Sequence, residues 1–288
     1  LNALFGLEYK QYENQHAEIY TTESSDRAFE EEVMLSGFAN AQVKGEGSGV
    51  SFDEAQETFS ARYTHETVAL AFAITEEAIE DNLYDRIASR YTKALARSMS
   101  NTKQVKAVEP LINGLPTTDG FDSGDGVALF STAHPTIAGT YKNTLSAQAD
   151  LNETSLEQSL IDIAAMTDER GLRIAARGVK MIIPSKLQFT AERLMKSQGR
   201  TATADNDINA IASMGMIPQG YRVNNYLTDD DAFYIITDVP NGMKMFNRAP
   251  LTTAMEGDFD TGNVRYKARE RYSFGVSDPR GIFGVEGA

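Results

Sequence analysis

Ser131 and His134 stand three positions apart in the stretch DGVALFSTAHPT, and they are the residue types of a nucleophile and its base. A serine hydroxyl attacks a carbonyl carbon when a histidine removes its proton, so one hypothesis is a serine hydrolase. The stretch has no G-x-S-x-G turn, however, and His134 directly precedes a proline. The other histidines, His16 and His65, lie in segments that are poor places for a rigid base. The favoured interpretation is a structural loop in which His134 bonds to the backbone or to a neighbouring subunit.

Two other stretches invite a search for metal or phosphate sites. TTDGFDSGDG resembles a calcium loop, but Phe121 stands where the first Asp belongs and Thr132 where the bidentate Glu belongs. Gly45, Gly47 and Gly49 are followed by neither a helix pattern nor a Lys-Ser/Thr pair, so a phosphate cradle is not expected. The chain has no Cys, which removes disulfides, thiol catalysis and thiolate metal sites. The sequence therefore predicts no metal and no cofactor.

Charge is distributed unevenly along the 288 residues, whose net charge is −14. Residues 1–85 hold 18 acidic and 4 basic residues, whereas the remainder holds 23 of each, so all the excess acidity lies in the first third. Such a chain is a poor nucleic-acid binder, because phosphates would be repelled. No apolar run approaches the roughly 20 residues that span a bilayer. The acidic segment is therefore predicted to be either solvated or laid on a basic surface.

The first third is predicted to contain an arm and a long loop. Residues 1–35 show little periodicity and indicate an extended arm with one helical turn. Residues 36–68 have β-type residues at both ends and glycines in the middle, which predicts a two-stranded extended loop.

A long helix is predicted to begin at Thr75, which can act as its N-cap, and to run for about 26 residues, or roughly 40 Å. Arg97 and Lys103 would then lie near its C-terminal end, where the helix dipole favours cations. Residues at helical spacing form one stripe, which comprises Ile79, Leu83, Ile87, Tyr91, Ala94 and Ser98. A second, basic stripe is either a solvated face or a docking surface, and it comprises Arg86, Arg90, Lys93 and Arg97.

Mixed helices and strands follow. A capping box at Thr154 and Glu157 predicts a helix that ends at Gly171. A buried strand, a helix between Ser185 and Gly199, and three further strands come next. This irregular order predicts an α+β fold rather than a βαβ series.

The most regular pattern is a 13-residue alternation at the end of the chain, which predicts one long strand with an apolar face and a basic face. Glu270 interrupts the apolar face. Four cations on one face repel one another unless acidic groups cover them, so we expect contacts between copies of the chain. The alternative is four solvated surface cations. The candidate contact residues are Arg265, Lys267, Arg269, Arg271, Glu30, Glu31, Glu32, Asp53, Glu54 and Glu57.

This order of elements resembles the major capsid protein of tailed bacteriophages, the Hong Kong 97 type of fold. Three local stretches are also similar to the phage Mu-type major head subunit group, and they are YTHETVALAFAITEEAIEDNLYDRI, LFSTAHP and ERYSFGVSDPRGIFG. The resemblance implies a self-assembling virion protein without an active site. Its copies would form hexamers and pentamers in an icosahedral shell around double-stranded DNA, assembled in the bacterial cytoplasm. Decoration, portal and scaffold proteins would be its partners, with no membrane involved.

The same resemblance implies a domain plan. Residues 1–35 would be the arm, 36–68 the extended loop over a neighbouring subunit, and 69–172 a peripheral domain with an inserted loop at 111–150. Residues 173–250 would form the axial domain and 251–288 the strand that returns to the peripheral domain. The missing initial Met fits maturation cleavage.

One such relative joins its subunits by an isopeptide bond from a loop lysine. Lys44 is the matching candidate, although no unambiguous Asn and Glu complete the set. Another virion part, a tail-tube or decoration protein, is the remaining structural alternative.

Overall fold

The computed structural model describes residues 1–80, 84–116, 120–199, 207–258 and 262–288, with the backbone alone at 84–86. Its helices are α1 Asn2–Gln11, α2 Glu76–Glu80, α3 Tyr84–Asn113, α4 Glu153–Ala164, α5 Gln188–Lys196 and α6 Ala210–Met214. Its strands are β1 Thr21–Ser24, β2 Phe29–Leu35, β3 Glu57–Thr64, β4 Glu66–Ile74, β5 His134–Thr136, β6 Gly139–Tyr141, β7 Gly178–Ile183, β8 Tyr221–Val223, β9 Phe233–Thr237, β10 Met243–Gly257, β11 Val264–Val276 and β12 Ile282–Val285. The predicted α+β class is confirmed.

The chain divides into two compact units. The first unit comprises Leu1–Glu30, Tyr63–Ala107 and Met245–Phe274, and the second comprises Glu31–Arg62, Val108–Lys244 and Gly275–Ala288. No helix of the described residues combines the length and the apolar character that crossing a bilayer requires.

The first unit is built on a four-stranded sheet with the order β1-β10-β11-β4. One face of this sheet is packed under α1 and α3, in a core of Phe5, Leu95, Ala96, Met99, Tyr266 and Ala268. The predicted single turn in the arm is wrong, because α1 has ten residues. Such a short helix is marginal by itself. The packing of the buried Phe5 ring near the Tyr266 ring supplies the tertiary contact that holds it.

The second unit contains the mixed sheet β12-β9-β7-β8, in which β7 runs parallel to β8 and antiparallel to β9. Helix α4 packs Leu156, Leu160 and Ile163 into its core, as their spacing predicts. The predicted cap is wrong, because the capping box is formed by Asn152 and Ser155, whose side chains accept from each other's backbone N–H groups.

Several other predicted ends are also displaced. Helix α4 ends at Ala164 rather than at Gly171. Ser185 opens a short 3-10 turn, after which α5 ends at Lys196 rather than at Gly199. The chain turns at Asn241-Gly242, where Asn241 has a positive φ of 60°.

The short helix α2 begins where the long helix was predicted to begin, and there the Ala78 N–H donates to the Thr75 hydroxyl at 3.4 Å. The long helix α3 is described from Tyr84 to Asn113, so Arg97 and Lys103 lie well inside it and not at its end. The stripe of helical spacing is not the buried face of the helix. Tyr91, Ala94 and Ser98 are exposed, and the side chains that α3 buries include Thr92, Leu95, Ala96 and Met99. Leu83 and the Arg86 side chain lie outside the described residues.

Candidate functional site

The alternation of β11 separates a covered face from an open one. Tyr266 and Ala268 are buried, whereas Arg265, Lys267 and Arg269 between them are exposed. The strand spans Val264–Val276, as its period of two predicts. Its antiparallel neighbour β4 sets only small side chains opposite the basic residues, because Thr67, Ala69, Ala71 and Ala73 pair with Arg271, Arg269, Lys267 and Arg265. The basic side chains therefore have only short side chains beside them on the neighbouring strand.

Glu270 lies on the covered face of β11, where helix α3 supplies a partner for its carboxylate. Its side chain is 2% exposed and lies 3.2 Å from the Lys103 ammonium group of α3. Burial raises the pKa of Glu270, and the charge of Lys103 opposes that shift. A buried carboxylate is tolerated when such a partner is present. The apparent interruption of the apolar face is thus one half of a buried ion pair.

The basic face itself is only partly compensated. Arg265 is paired with Asp258. Lys267, Arg269 and Arg271 make no ion pair with any other residue in the described ranges, and the half-buried Arg271 has an Nε atom without a hydrogen-bond partner there. Arg271 also lies close enough to His65 to help burial lower the pKa of that ring, while Glu30 opposes it. Three cations are thus left for a partner of opposite charge.

Four of the six predicted acidic residues have partners within their own chain. Glu30 accepts from the Ser25 hydroxyl at 2.7 Å. Glu32 lies 2.5 Å from Lys244 and also accepts from Ser277. Asp53 accepts from the Ala39 N–H at 2.7 Å and lies 3.3 Å from Arg170. Glu31 lies 3.7 Å from Arg62, and the exposed Glu54 and Glu57 carboxylates have no ion pair among described residues.

Lys44 is exposed in the middle of the extended loop. Strands β2 and β3 pair as the base of this loop, but the residues between Leu35 and Glu57 form neither helix nor strand. All twenty residues from 38 to 57 are exposed.

The Ser131–His134 loop is held by a different set of contacts. The His134 ring is fully buried, with Nδ1 2.6 Å from Asp125 Oδ2 and Nε2 2.9 Å from Asn143 Oδ1. The Asn143 amide nitrogen donates to the carbonyl oxygens of Leu129 and Pro279, which fixes its Oδ1 as an acceptor. Nε2 of His134 therefore donates to Asn143, and each ring nitrogen has a side-chain partner.

Asp125 is the carboxylate partner of that ring. Burial alone would raise the pKa of Asp125, but hydrogen bonds from His134 and Ser123 hold it below its usual value. The predicted backbone or inter-subunit partner of His134 is therefore wrong, because both partners are buried side chains of the same chain.

Ser131 takes no part in a nucleophile–base pair. Its hydroxyl accepts from the Ala133 N–H at 3.2 Å, and its own N–H donates to Asn143 Oδ1 at 2.9 Å. A base must reach the hydroxyl proton of the nucleophile, and both nitrogens of His134 are occupied elsewhere. The loop geometry thus supports a structural role, and no group of three or more acidic or histidine side chains in the described ranges could hold a metal.

One surface was missed at the level of sequence. A groove of about 360 Å³ lies between β4 and α3, lined by Leu70, Ala71, Phe72, Tyr91, Ala94, Leu95 and Ser98. Tyr91, Ala94 and Ser98 belong to the stripe of helical spacing that the sequence shows. That spacing was the available signal, but spacing alone does not say whether a stripe is covered or open.

The chain belongs to the phage capsid protein family, whose model matches residues 57–285. A search of curated protein sequences finds no match.

Solved capsid structures have the same fold over nearly the whole chain. A virus-like particle from Pyrococcus furiosus is 10% identical with a TM-score of 0.57, covering 99% of this chain and 96% of its own. The capsid of an empty GTA particle is 16% identical with a TM-score of 0.57, and the capsid of Myoviridae phage XM1 is 12% identical with a TM-score of 0.56. Each of these two covers 94% of this chain and 89% of its own. The fold is therefore the Hong Kong 97 type, and the class is that of phage capsid proteins.

Proposed function

We propose that this chain forms the shell of a tailed-bacteriophage head, assembling as hexamers and pentamers into an icosahedral capsid around packaged double-stranded DNA. The observation that carries this proposal beyond family membership is the open basic face of β11. Lys267 and Arg269 are exposed without an ion pair in the described chain, although the chain as a whole is strongly acidic. Such a face fits an acidic surface of another copy, because opposite charges favour association and fix its register.

The acidic surface is proposed to come from the first third of a neighbouring copy. Glu54 and Glu57 are exposed and lack ion pairs in the described residues, so they are the groups best placed to reach β11 of a neighbour. Glu30, Glu31, Glu32 and Asp53 have partners in their own chain and contribute mainly to the negative field. Coulomb attraction across such a contact would weaken as salt rises.

The division of labour follows the plan implied by the resemblance. Residues 1–35 serve as the arm and 36–68 as the loop that extends over a neighbour. Residues 69–172 and 251–288 build the peripheral domain, and 173–250 gather around the centre of each capsomer. The net charge of −14 suits a wall that encloses DNA without binding its sequence.

The role is structural, with assembly in the host cytoplasm and with portal, scaffold and decoration proteins as further partners. The Ser131 hydroxyl bonds away from His134, which supports a role without catalysis. A crosslink through Lys44 remains a prediction, and a boiled denaturing gel showing monomer alone would contradict it.

Charge reversal on the open face tests the proposed contact. Lys267→Glu combined with Arg269→Glu should leave the thermal unfolding of the subunit unchanged, because both side chains are exposed, and should abolish shells. Light scattering and electron micrographs measure particle mass and shape. Arg193→Glu, an exposed cation of α5, is the matched control and should assemble. Normal shells from the double variant would contradict the contact, and an unsubstituted chain that never assembles would contradict the function.

A further inference from the structure

We propose that the first unit binds a phosphate ion through the guanidinium groups of Arg248 and Arg271, beside the contact between Ser25 and His65. The ligand is a free tetrahedral oxyanion, so this site is distinct from the contact between copies proposed above and does not depend on assembly.

Four segments of the first unit meet at the His65 ring, which is 5% exposed. Its Nε2 lies 2.9 Å from the Ser25 hydroxyl oxygen, and its Nδ1 lies 3.0 Å from the hydroxyl oxygen of Ser273 on β11. The Ser25 backbone N–H donates to the carbonyl oxygen of Asn247 on β10 at 3.1 Å. The segment after β1, the corner between β3 and β4, and strands β10 and β11 therefore converge on one buried ring.

The hydrogen atoms at this contact are used within the chain. The Ser25 hydroxyl has one hydrogen, which it donates to Glu30 at 2.7 Å. The Ser25 oxygen therefore accepts from Nε2 of His65, and it also accepts from the Arg27 N–H at 3.2 Å. A ring nitrogen that donates cannot remove the serine proton, so this is not a nucleophile and its base. The contact instead fixes the positions of the groups around it.

Two arginine side chains next to this contact are not satisfied in the same way. The Nε atoms of Arg248 and Arg271 are buried, and neither has a hydrogen-bond partner among the residues that the structure describes. Neither side chain forms an ion pair within those ranges. Buried polar groups are almost always paired, and an unpaired buried charge is costly. Two such donors in one place indicate a site for an acceptor from outside the chain.

Strand geometry places both arginines beside His65. Arg271 precedes Ser273 by two positions on β11, so their side chains share a face of the strand, and Ser273 contacts the ring. Arg248 directly follows Asn247, whose carbonyl oxygen is bonded to the segment that contacts the ring. Strands β10 and β11 are neighbours in the sheet. The two guanidinium groups can therefore approach one ligand from adjacent strands.

The charges around the ring favour an anion. Burial lowers the pKa of His65, and the charges of Arg271 and Arg248 lower it further, whereas Glu30 opposes them. The neutral ring thus leaves two cations against one carboxylate, within a chain whose net charge is −14.

Phosphate fits this set of groups best. Guanidinium groups bind phosphate oxygens through paired N–H donors. Phosphate also keeps a proton at neutral pH, which the Glu30 carboxylate can accept, whereas sulfate has no proton to donate and would be repelled by that carboxylate. The site is therefore expected to prefer phosphate to sulfate.

Thermal unfolding of the full chain tests the site, in sodium phosphate and in sodium chloride at the same pH and ionic strength. We expect phosphate to raise the Tm by several degrees, because a ligand that binds only the folded state stabilises it. Arg248→Gln and Arg271→Gln should each remove most of this rise. Both should keep the Tm in chloride, because the Nε atoms that they remove have no partner in the described chain. Arg193→Gln removes an exposed cation of α5 and should keep the full rise.

The outcomes decide the proposal without reference to particles. A rise limited to phosphate and lost in both site variants would support it. An equal rise in sodium sulfate, or in all variants, would show a general salt effect and overturn the site. Arg271→Lys keeps the charge and replaces the glutamine variant if that variant does not fold.

Calorimetric titration of phosphate into the unsubstituted chain measures the binding directly. Saturable binding that weakens at least tenfold in Arg248→Gln would support the site, and the absence of saturable binding would overturn it. Displacement of phosphate by a short DNA duplex would overturn the assignment to a free ion in favour of a DNA phosphodiester.

Discussion

The outer face of β11 and the His134 loop treat charged groups in opposite ways. In the loop, every ring nitrogen of His134 and both ends of the Asn143 amide have protein partners, and the groups are buried. On the strand, Lys267 and Arg269 are exposed and lack ion pairs in the described chain. Buried polar groups need hydrogen-bond partners within the fold, whereas exposed cations are solvated and can pair with a second molecule. The loop therefore indicates internal stability, and the strand face indicates association.

The largest stability effect is expected from the loop. Asp125→Ala removes the buried side-chain partner of the fully buried His134 ring and leaves a polar ring nitrogen unpaired, so the free energy of unfolding should fall by about 1–3 kcal/mol. Chemical denaturation measures it. Ser131→Ala is the matched control, and it should change the value by less than about 1 kcal/mol because the hydroxyl accepts one weak bond. Equal losses of unfolding free energy in the two variants would show that the buried contacts of His134 stabilise the fold no more than the Ser131 hydroxyl does.

A second buried histidine sharpens the comparison through pH. The Gln104 amide nitrogen donates to Nδ1 of His16, and the amide oxygen accepts from the backbone N–H of His16. Because Nδ1 is an acceptor, this ring is neutral. Burial, helped by the charge of Lys103, lowers the pKa of His16 to about 4. The unfolded chain takes up a proton near pH 6.5 and the folded chain does not, so stability is present above that pH and is lost as pH falls towards 4. The loss should approach about 3 kcal/mol.

Urea unfolding at pH 7 and pH 4.5 measures this loss. His16→Asn retains an acceptor near the Nδ1 position without the titration, so its stability should depend less steeply on pH. A variant as acid-sensitive as the parent would show that other groups carry the effect.

The smallest stability effect is expected on the strand face. Lys267→Ala and Arg269→Ala should each change the free energy of unfolding by less than about 0.5 kcal/mol, as is usual for exposed positions. The same variants should lower the yield of assembled particles, most clearly at low salt. A stability loss comparable to that of Asp125→Ala would mean that these cations have partners in their own subunit.

Periodicity predicted the strand better than it predicted the helix. The 13 residues of β11 alternate strictly enough that both the bounds and the basic face were available from sequence, including Glu270 as the exception. The partner of Glu270 was not available, because Lys103 is 167 positions away and only the fold brings them together. Loop contacts such as His134 with Asp125 and Asn143 are likewise products of tertiary structure.

Helix α3 shows what a stripe leaves open. Periodicity identifies residues that share a face but does not say what covers that face. Tyr91, Ala94 and Ser98 have the spacing of a core stripe but are exposed, whereas the first unit buries Ala96 and Met99.

Hydrogen bonds near the base of the extended loop limit how far its residues can lie from their own subunit. Asp53 holds the Ala39 N–H, and Arg170 donates both to Asp53 and to the carbonyl oxygen of Glu54. Phe52 directly precedes Asp53, so its Cα atom lies about 3.8 Å from the Cα atom of a residue that is bonded to the rest of the subunit. Val43 is four residues beyond Ala39 and can reach roughly 14 Å away. The two exposed apolar side chains of the loop therefore differ in reach, because Phe52 is held one residue from these bonds whereas Val43 is four residues away from them.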